Sequence, residues 1–500
     1  MNRARLVHVA AILSSLSLFI GCAPKKPTTA QAPVAPTPSW KDIKVPQLPE
    51  FHPPQPKRIQ LDNGMVIFLQ EDHELPTIDG TARIRGGERN VPANKAGLMD
   101  IYGEVWRTGG TKTQTGDQLD DYLEQRAARV ETGGSVDSTT ISLSCLKEDF
   151  DGVFHVFEDL LKNPEFRADK IEIAQKGAYD AISRRNDEPS QIASREAAKL
   201  VYGANNPYAR VPEYATIAAI TRQDLADWHA RTVHPNNIIL GVVGDFDSAK
   251  MEALLREAFA SWPKGEQVKG AEIKPNPAKP AYYLVEKTDV NQSDIQMLAL
   301  GTIRKNPDYY AISVFNEAFG GGFSSRLFSD IRTTKGLAYA VGGGVGTAWD
   351  HDGMLRLMVR TKSATTFESI QALDEEIAAL ANRPISEEEI TRAKDSILNS
   401  FVFRFDSPAK VLQEKMAYEF YGYPLDFLEN YQKGIEKVTK EDVAQVAAKY
   451  LHRDQMAVLV VGNPAEFDKE PASLGPVNKI DITIPAPPPG IAAAPSGREQ

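Results

Sequence analysis

Five hundred residues are more than one hydrophobic core serves, and at about 150 residues per domain the chain holds roughly three or four units. With 42% hydrophobic and 25% charged residues and a mean hydropathy of −0.34, the composition is that of an ordinary globular protein; it excludes a collagen, a multi-span membrane protein and a wholly disordered chain. The net charge of −10, with no basic run longer than pairs such as Lys25-Lys26 and Arg184-Arg185, excludes a generic nucleic-acid surface, which needs clustered cations.

Residues 1–22 read as an export signal. Arg3 and Arg5 precede an apolar run from Val7 to Gly21, too short to span a bilayer and of the length of a signal core. The run ends in Leu18-Phe19-Ile20-Gly21-Cys22, which resembles a bacterial lipobox with Cys22 as the lipidated residue, although Phe19 stands where Leu is usual. Plain cleavage near Gly21-Cys22-Ala23 is the alternative. The expected location is therefore the periplasm-facing side of the bacterial cell envelope, with contact to membrane through a lipid anchor. Residues 23–57, rich in Pro, Ala and Thr, cannot build a core and read as a tether. Cys145, left alone if Cys22 carries lipid, is expected as a small buried core residue.

The folded part is expected to be α+β, in two similar halves at 58–263 and 281–468, each a mixed, mainly antiparallel sheet packed with helices. Residues 264–280 read as the linker and 469–500 as a Pro-rich disordered tail. In chain order, Asn63-Gly64 centres a hairpin and Thr77 to Arg85 alternates like a strand. Helical patterns follow near 96–107, 116–130, 149–162, 168–186 and 190–202, with strands near 132–146 and 237–244. The second half is expected to have strands near 281–286 and 294–301, and helices near 308–319, 365–381 and from 386. The duplication rests on an ungapped echo. Ile220-Thr221-Arg222-Gln223-Asp224-Leu225 and Val438-Thr439-Lys440-Glu441-Asp442-Val443 stand 218 positions apart, as do Val243-Gly244 and Val461-Gly462. Each copy reads as a Thr-capped amphipathic helix, a turn, and an apolar strand ending in Gly.

Three stretches carry a further signal: Ala96-Gly97-Leu98, Pro235-Asn236-Asn237 through Asp245, and Gly320 to Tyr339. Together they resemble the pitrilysin/insulysin/mitochondrial-processing-peptidase family of zinc peptidases, whose members carry H-x-x-E-H on a helix after a Gly-Leu-Ala start. Histidines at i and i+4 share a helix face and bind zinc, and the Glu between them serves as general base. A Glu about 77 residues further on is the third ligand in that family. Here the corresponding positions are Asp100, Gly103, Glu104 and Ala181, so all four differ. None of the eight histidines forms an i,i+4 pair, and the expectation is no metal in this chain. Two carboxylates on one helix face read first as solvated surface, and a rewired metal site is the minor alternative.

The second half keeps a different part of the pattern. The run Gly320-Gly321-Gly322 is not a phosphate-binding loop, since Phe-Ser-Ser follows where Gly-Lys-Ser/Thr should stand. The resemblance makes it a loop of the substrate chamber, and makes Arg332 and Tyr339 the pair that reaches a zinc site to hold substrate backbone and oxyanion. Gly336 reads as the residue that ends a helix, which places Arg332 in its last turn and Tyr339 at the start of a strand. In the two-chain bacterial branch one subunit supplies zinc and the other this Arg/Tyr pair, and this chain resembles the second kind. The resemblance thus implies an H-x-x-E-H-bearing partner that holds the zinc, an unfolded peptide as substrate, and no nucleic acid. A peptide-binding or scaffold lipoprotein without proteolytic role, and an autonomous enzyme with a rebuilt metal site, are the competing readings.

Overall fold

The computed structural model describes residues 55–489. The signal, Cys22, the tether to residue 54 and the last eleven residues lie outside the described residues.

The first sheet is built from β1 (Lys57–Gln60), β2 (Val66–Glu71), β3 (Thr77–Arg85), β4 (Arg129–Gly134), β5 (Ser138–Leu146) and β6 (Ile238–Gly244), in the order β1-β2-β6-β3-β5-β4. β1 and β2 form the hairpin expected around Asn63-Gly64, with Ile59 opposite Ile67 and Gly64 at φ +89°. Only β2 and β6 run parallel. A continuous apolar run such as Ile238–Gly244 suits this central place, where both faces of a strand are covered.

The second sheet comprises β7 (Tyr282–Glu286), β8 (Gln292–Leu300), β10 (Ala338–Gly344), β12 (Met354–Lys362), β13 (Ala457–Gly462) and β14 (Val477–Lys479); β9 (Thr302–Ile303) and β11 (Thr347–Ala348) pair separately. Its order, read from the far edge, is β14-β7-β13-β8-β12-β10, which repeats the first sheet strand for strand. One difference stands out. The edge strand β1 precedes its neighbour and runs antiparallel to it, whereas β14 comes from the end of the chain and runs parallel to β7. The tail expected to be disordered is therefore corrected over its first part. Val477–Lys479 completes the edge of the sheet, Ile480 N–H donates to the Leu284 carbonyl at 2.8 Å, and Asn186 Nδ2 donates to the Ile482 carbonyl at 2.7 Å. Backbone pairing, invisible in a Pro-rich composition, orders it.

The 218-residue echo holds to the residue. Helices Arg222–Thr232 and Lys440–Tyr450 each begin with a reciprocal cap, Thr221 with Asp224 and Thr439 with Asp442, and lead to β6 and β13, which end at Gly244 and Gly462. The expected linker 264–280 is laid along the first half rather than free: Val268 N–H donates to Asn237 Oδ1, and Ala278 N–H donates to the Leu200 carbonyl at 2.7 Å.

Two helices cross between the halves. Pro189–Tyr202 leaves the first half and buries Ile192, Ala197 and Val201 against Leu298, Leu459 and Val461 of the second sheet. Pro408–Tyr421 leaves the second half and buries Leu412, Met416 and Phe420 against Val66, Phe68, Ile239 and Val243 of the first. Both start with Pro at the first helical position and end in Tyr-Gly. Each half thus covers one face of the other's sheet. Burying side chains of this size contributes about 1.5–3 kcal/mol each. The main core lies between the first sheet and its own helices, with Trp106, Tyr102 and Phe157 fully buried there. Cys145 belongs to it, its thiol pushed up to about 12 by burial.

Candidate functional site

The helix Leu98–Thr108 begins at Gly97, whose φ of +93° suits glycine; an added Cβ would also meet Ile217 at 2.6 Å. Ahead of it, Glu88 closes the helix start. Its Oε1 accepts from Gly97 N–H at 3.2 Å and its Oε2 from Met99 N–H at 3.4 Å. Burial pushes the Glu88 carboxyl up to about 7, although these two donors and the Arg210 charge pull it down. The apolar face of the helix sinks Met99, Tyr102, Val105 and Trp106 into the core, with Trp106 Nε1 donating to the Leu160 carbonyl at 2.8 Å.

The opposite face carries Asp100 and Glu104, one turn apart. Both line an open cavity of about 510 Å³, and Ala181, on the helix Ala168–Arg184, lines it too. The structure therefore brings together three of the four positions at which the zinc motif is changed. Burial raises the Asp100 carboxyl above its ordinary range even though its outer edge is exposed. Neither Asp100 nor Glu104 has a side-chain hydrogen bond or ion pair among the described residues. The two arginines of the cavity are already engaged. Arg185 pairs with Glu213 at 2.9 Å and donates to the Pro212 carbonyl, and Arg195 pairs with Glu196 at 2.8 Å and donates to Asn186 Oδ1.

The fourth position, Gly103, faces the other way. It is buried against β4, and a Cβ built on it would lie 2.5 Å from Gly134 N and 2.9 Å from Gly133 C, while Thr132 Oγ1 donates to its carbonyl at 2.5 Å. A glutamate base has no room there. Zinc does not fit what remains. The donors are two carboxylates with a methyl group in the third place and no imidazole, and among the described residues no three His, Cys, Asp or Glu converge on one point. Calcium, which takes six to eight oxygens, fits no better.

The C-terminal half presents its own constellation. The helix Tyr309–Asn316 passes into a π-helical turn, Glu317–Gly321. A Cβ on Gly320 would lie 2.5 Å from the Gly343 carbonyl oxygen, so this glycine lets the turn lie on β10. Gly321 and Gly322 wrap the Glu317 carboxylate, their would-be Cβ atoms 3.0 and 3.1 Å from its oxygens. A second π-helical turn, Phe328–Thr334, carries Arg332; Gly336, at φ +65°, ends it, and β10 begins two residues later. The Arg332 guanidinium lies 4.6 Å from the centre of the Phe328 ring and 6.0 Å from that of Tyr339. Tyr339 is 77% exposed and Phe323, edge-on to Phe328, is 82% exposed. Arg332 and Tyr339 thus share one open surface with two aromatic rings. The cavity at Asp100 is lined by residues of the N-terminal half alone, so this pair does not line it.

Sequence reasoning missed Glu88, Arg185, Arg195 and Phe323. None sits at a spacing that announces a role; each is placed by packing between distant segments.

A two-half α+β architecture with a motif helix over the first sheet and an Arg/Tyr turn beside the second defines the class. Matches to known families agree. "Insulinase (Peptidase family M16)" matches residues 81–207 and "Peptidase M16 inactive domain" matches residues 219–397. The chain belongs to the M16 peptidase family. Among curated relatives, an uncharacterized zinc protease of Mycobacterium leprae is 25% identical over 79% of this chain and 89% of its own length. The non-peptidase homolog YmxG of Helicobacter pylori is 23% identical over 79% and 91%. Of solved structures, the peptidase M16 inactive domain from Pseudomonas fluorescens matches with a TM-score of 0.73 and 24% identity over 82% of this chain and 98% of that one.

Proposed function

We propose that this chain is an M16 homologue without peptidase activity of its own, and that it serves as the non-catalytic subunit of a two-chain zinc peptidase. It helps enclose an unfolded peptide and lends Arg332 and Tyr339 to the zinc site of an H-x-x-E-H-bearing partner. A lipid on Cys22 holds it at the periplasmic face of the envelope. The observation that carries the reading is the separation of the two constellations. The motif helix lacks every zinc-binding and base side chain, and Gly103 leaves no room for the base. Tyr339 is exposed, Arg332 is half-buried beside it, and neither lines this chain's own motif cavity. A guanidinium and a phenol are donors suited to an oxyanion. The name of the Helicobacter pylori relative, a non-peptidase homolog, supports the first half of the reading.

The test is reconstitution with an H-x-x-E-H-bearing M16 chain from the same organism. Tyr339→Phe removes one hydroxyl and leaves the ring; Arg332→Ala removes the guanidinium. Each is expected to lower turnover by the complex by about 10²–10³-fold, the usual effect of losing an oxyanion donor, with assembly unchanged. Full turnover by both variants, folded and paired, would leave a peptide-holding scaffold as the better reading.

A further inference from the structure

The cavity at the former zinc motif is not simply an erased site. It keeps a volume of about 510 Å³, within the range of ordinary ligand pockets, and most of its wall is aliphatic, with Ala174, Ala178, Ile182 and Ile217 among its residues. These walls carry two carboxylates one helical turn apart, with no side-chain partner among the described residues, whereas both arginines of the cavity are paired elsewhere. Gly177 keeps part of the wall open, since nothing lies within 4 Å of where its Cβ would be.

We propose that this cavity receives the basic side chain of an unfolded peptide, a lysine or arginine whose methylene stem lies along the aliphatic wall and whose charged head meets Asp100 and Glu104. The shape of the chemistry selects this occupant. An apolar stem with a terminal cation matches a cavity whose wall is mostly aliphatic and carries two carboxylate acceptors. A bare metal ion would find two donors and no more. An acidic side chain would face two carboxylates and gain nothing from arginines already engaged. A purely aliphatic side chain would leave both carboxylates without a cation, and covering them would deepen the burial that already raises the Asp100 carboxyl. The inference deepens the proposed role by naming a substrate class, and takes from it only that the ligand is a peptide.

Because the cavity lies within this chain, binding is measured on the purified full chain, without a partner. The probe is a labelled, end-blocked peptide with one lysine flanked by Leu and Ala, compared with the same peptide carrying norleucine. The lysine peptide is expected to bind about tenfold more tightly, the usual scale for a charge-assisted contact, and the preference should shrink as salt rises from about 0.05 M to about 0.3 M. The double variant Asp100→Asn/Glu104→Gln, both positions exposed and both changes isosteric, should erase the preference and leave the norleucine peptide's affinity unchanged. Ala181→Lys, which tethers a competing ammonium to the wall, should weaken the lysine peptide. Equal affinities, absence of binding by either peptide, or a preference that survives the double variant would each overturn the proposal. So would stoichiometric zinc or calcium binding abolished by that variant. Failure of the Tyr339→Phe turnover test would not touch this result, so the two readings fail separately.

Discussion

Gly103 gives the sharpest test of why the motif helix cannot return to metal chemistry. A Cβ there would stand 2.5 Å from Gly134 N and 2.9 Å from Gly133 C, about 1 Å inside normal contact distance. Both neighbours are strand backbone and cannot rotate away, so helix Leu98–Thr108 and β4 must part. Such overpacking costs about 1–3 kcal/mol, against which the helix gains about 0.5–1 kcal/mol from replacing glycine by alanine. Gly103→Ala should therefore destabilise by about 1–2 kcal/mol. Gly103→Glu should destabilise further, because it also presses an unpartnered carboxylate into the packed interface. Gly177→Ala is the internal control: it sits in a helix with nothing within 4 Å of its Cβ and should stabilise by about 0.5–1 kcal/mol. The assay is urea unfolding followed by tryptophan fluorescence, since Trp106 is buried on the same helix. A midpoint for Gly103→Ala at or above wild type would refute the reasoning. In that case the combined replacement of Asp100, Gly103, Glu104 and Ala181 by the zinc-motif residues would no longer be blocked by packing.

Glu88 should make stability fall with rising pH. Its folded-state value of about 7 lies above the ordinary 4.5, so the folded chain holds an extra proton between those values. The contribution is fully present below about 4.5 and is lost as pH rises through 7, about 3 kcal/mol in all. Glu88→Gln should flatten the difference between urea midpoints at pH 5 and pH 8, and an unchanged slope would count against it. Arg89 is buried between the halves, bound to Asp137 at 3.0 Å, Asp350 at 2.7 Å and the Ala271 carbonyl. Arg89→Ala leaves two carboxylates without their cation and should cost about 3–5 kcal/mol. Amide exchange across residues 264–280 should quicken in this variant, and exchange and stability both at wild-type level would refute the role.

The parts of the fold legible in the sequence were those with local causes. Thr221 and Thr439 cap their helices through residues three positions on, and the apolar runs after them have one place to go, so the echo predicted both helix starts and both strand ends. Thr77–Arg85 alternates over its whole length and is a strand over its whole length. Where tertiary geometry decides, the pattern misled. The helix expected over 116–130 stops at Glu124, because the chain turns at Ala127, φ +48°, to enter β4. The single strand expected over 132–146 is two, folded at Ser135–Asp137 where Ser135 Oγ donates to the Ser138 carbonyl. Spacing carried the site only where family resemblance supplied the template: Asp100, Glu104 and Ala181 share a cavity, and Gly336 ends the turn that brings Arg332 near Tyr339. That Gly103 is held by Gly133 and Gly134, or that Glu88 caps the motif helix, depends on contacts between segments, which no periodicity records.

The exchanged helices bear on how a peptide is enclosed. If either half moved away from the other, the first sheet would uncover Val66, Phe68, Ile239 and Val243, and the second would uncover Leu298, Leu459 and Val461. The Arg89 bridge would break as well, and so would the contact of Tyr208 with His351, whose ring centres are 4.1 Å apart. Each of these contacts crosses between the halves. Separating the halves would therefore expose apolar faces on both sheets, at about 1.5–3 kcal/mol for each large side chain uncovered. On the proposed reading, opening and closing over a peptide takes place between the two chains, with Arg332 and Tyr339 carried toward the partner's zinc as the chains close. On that reading a basic residue seated at Asp100 and Glu104 would hold the peptide on this chain while the partner's zinc acts on it.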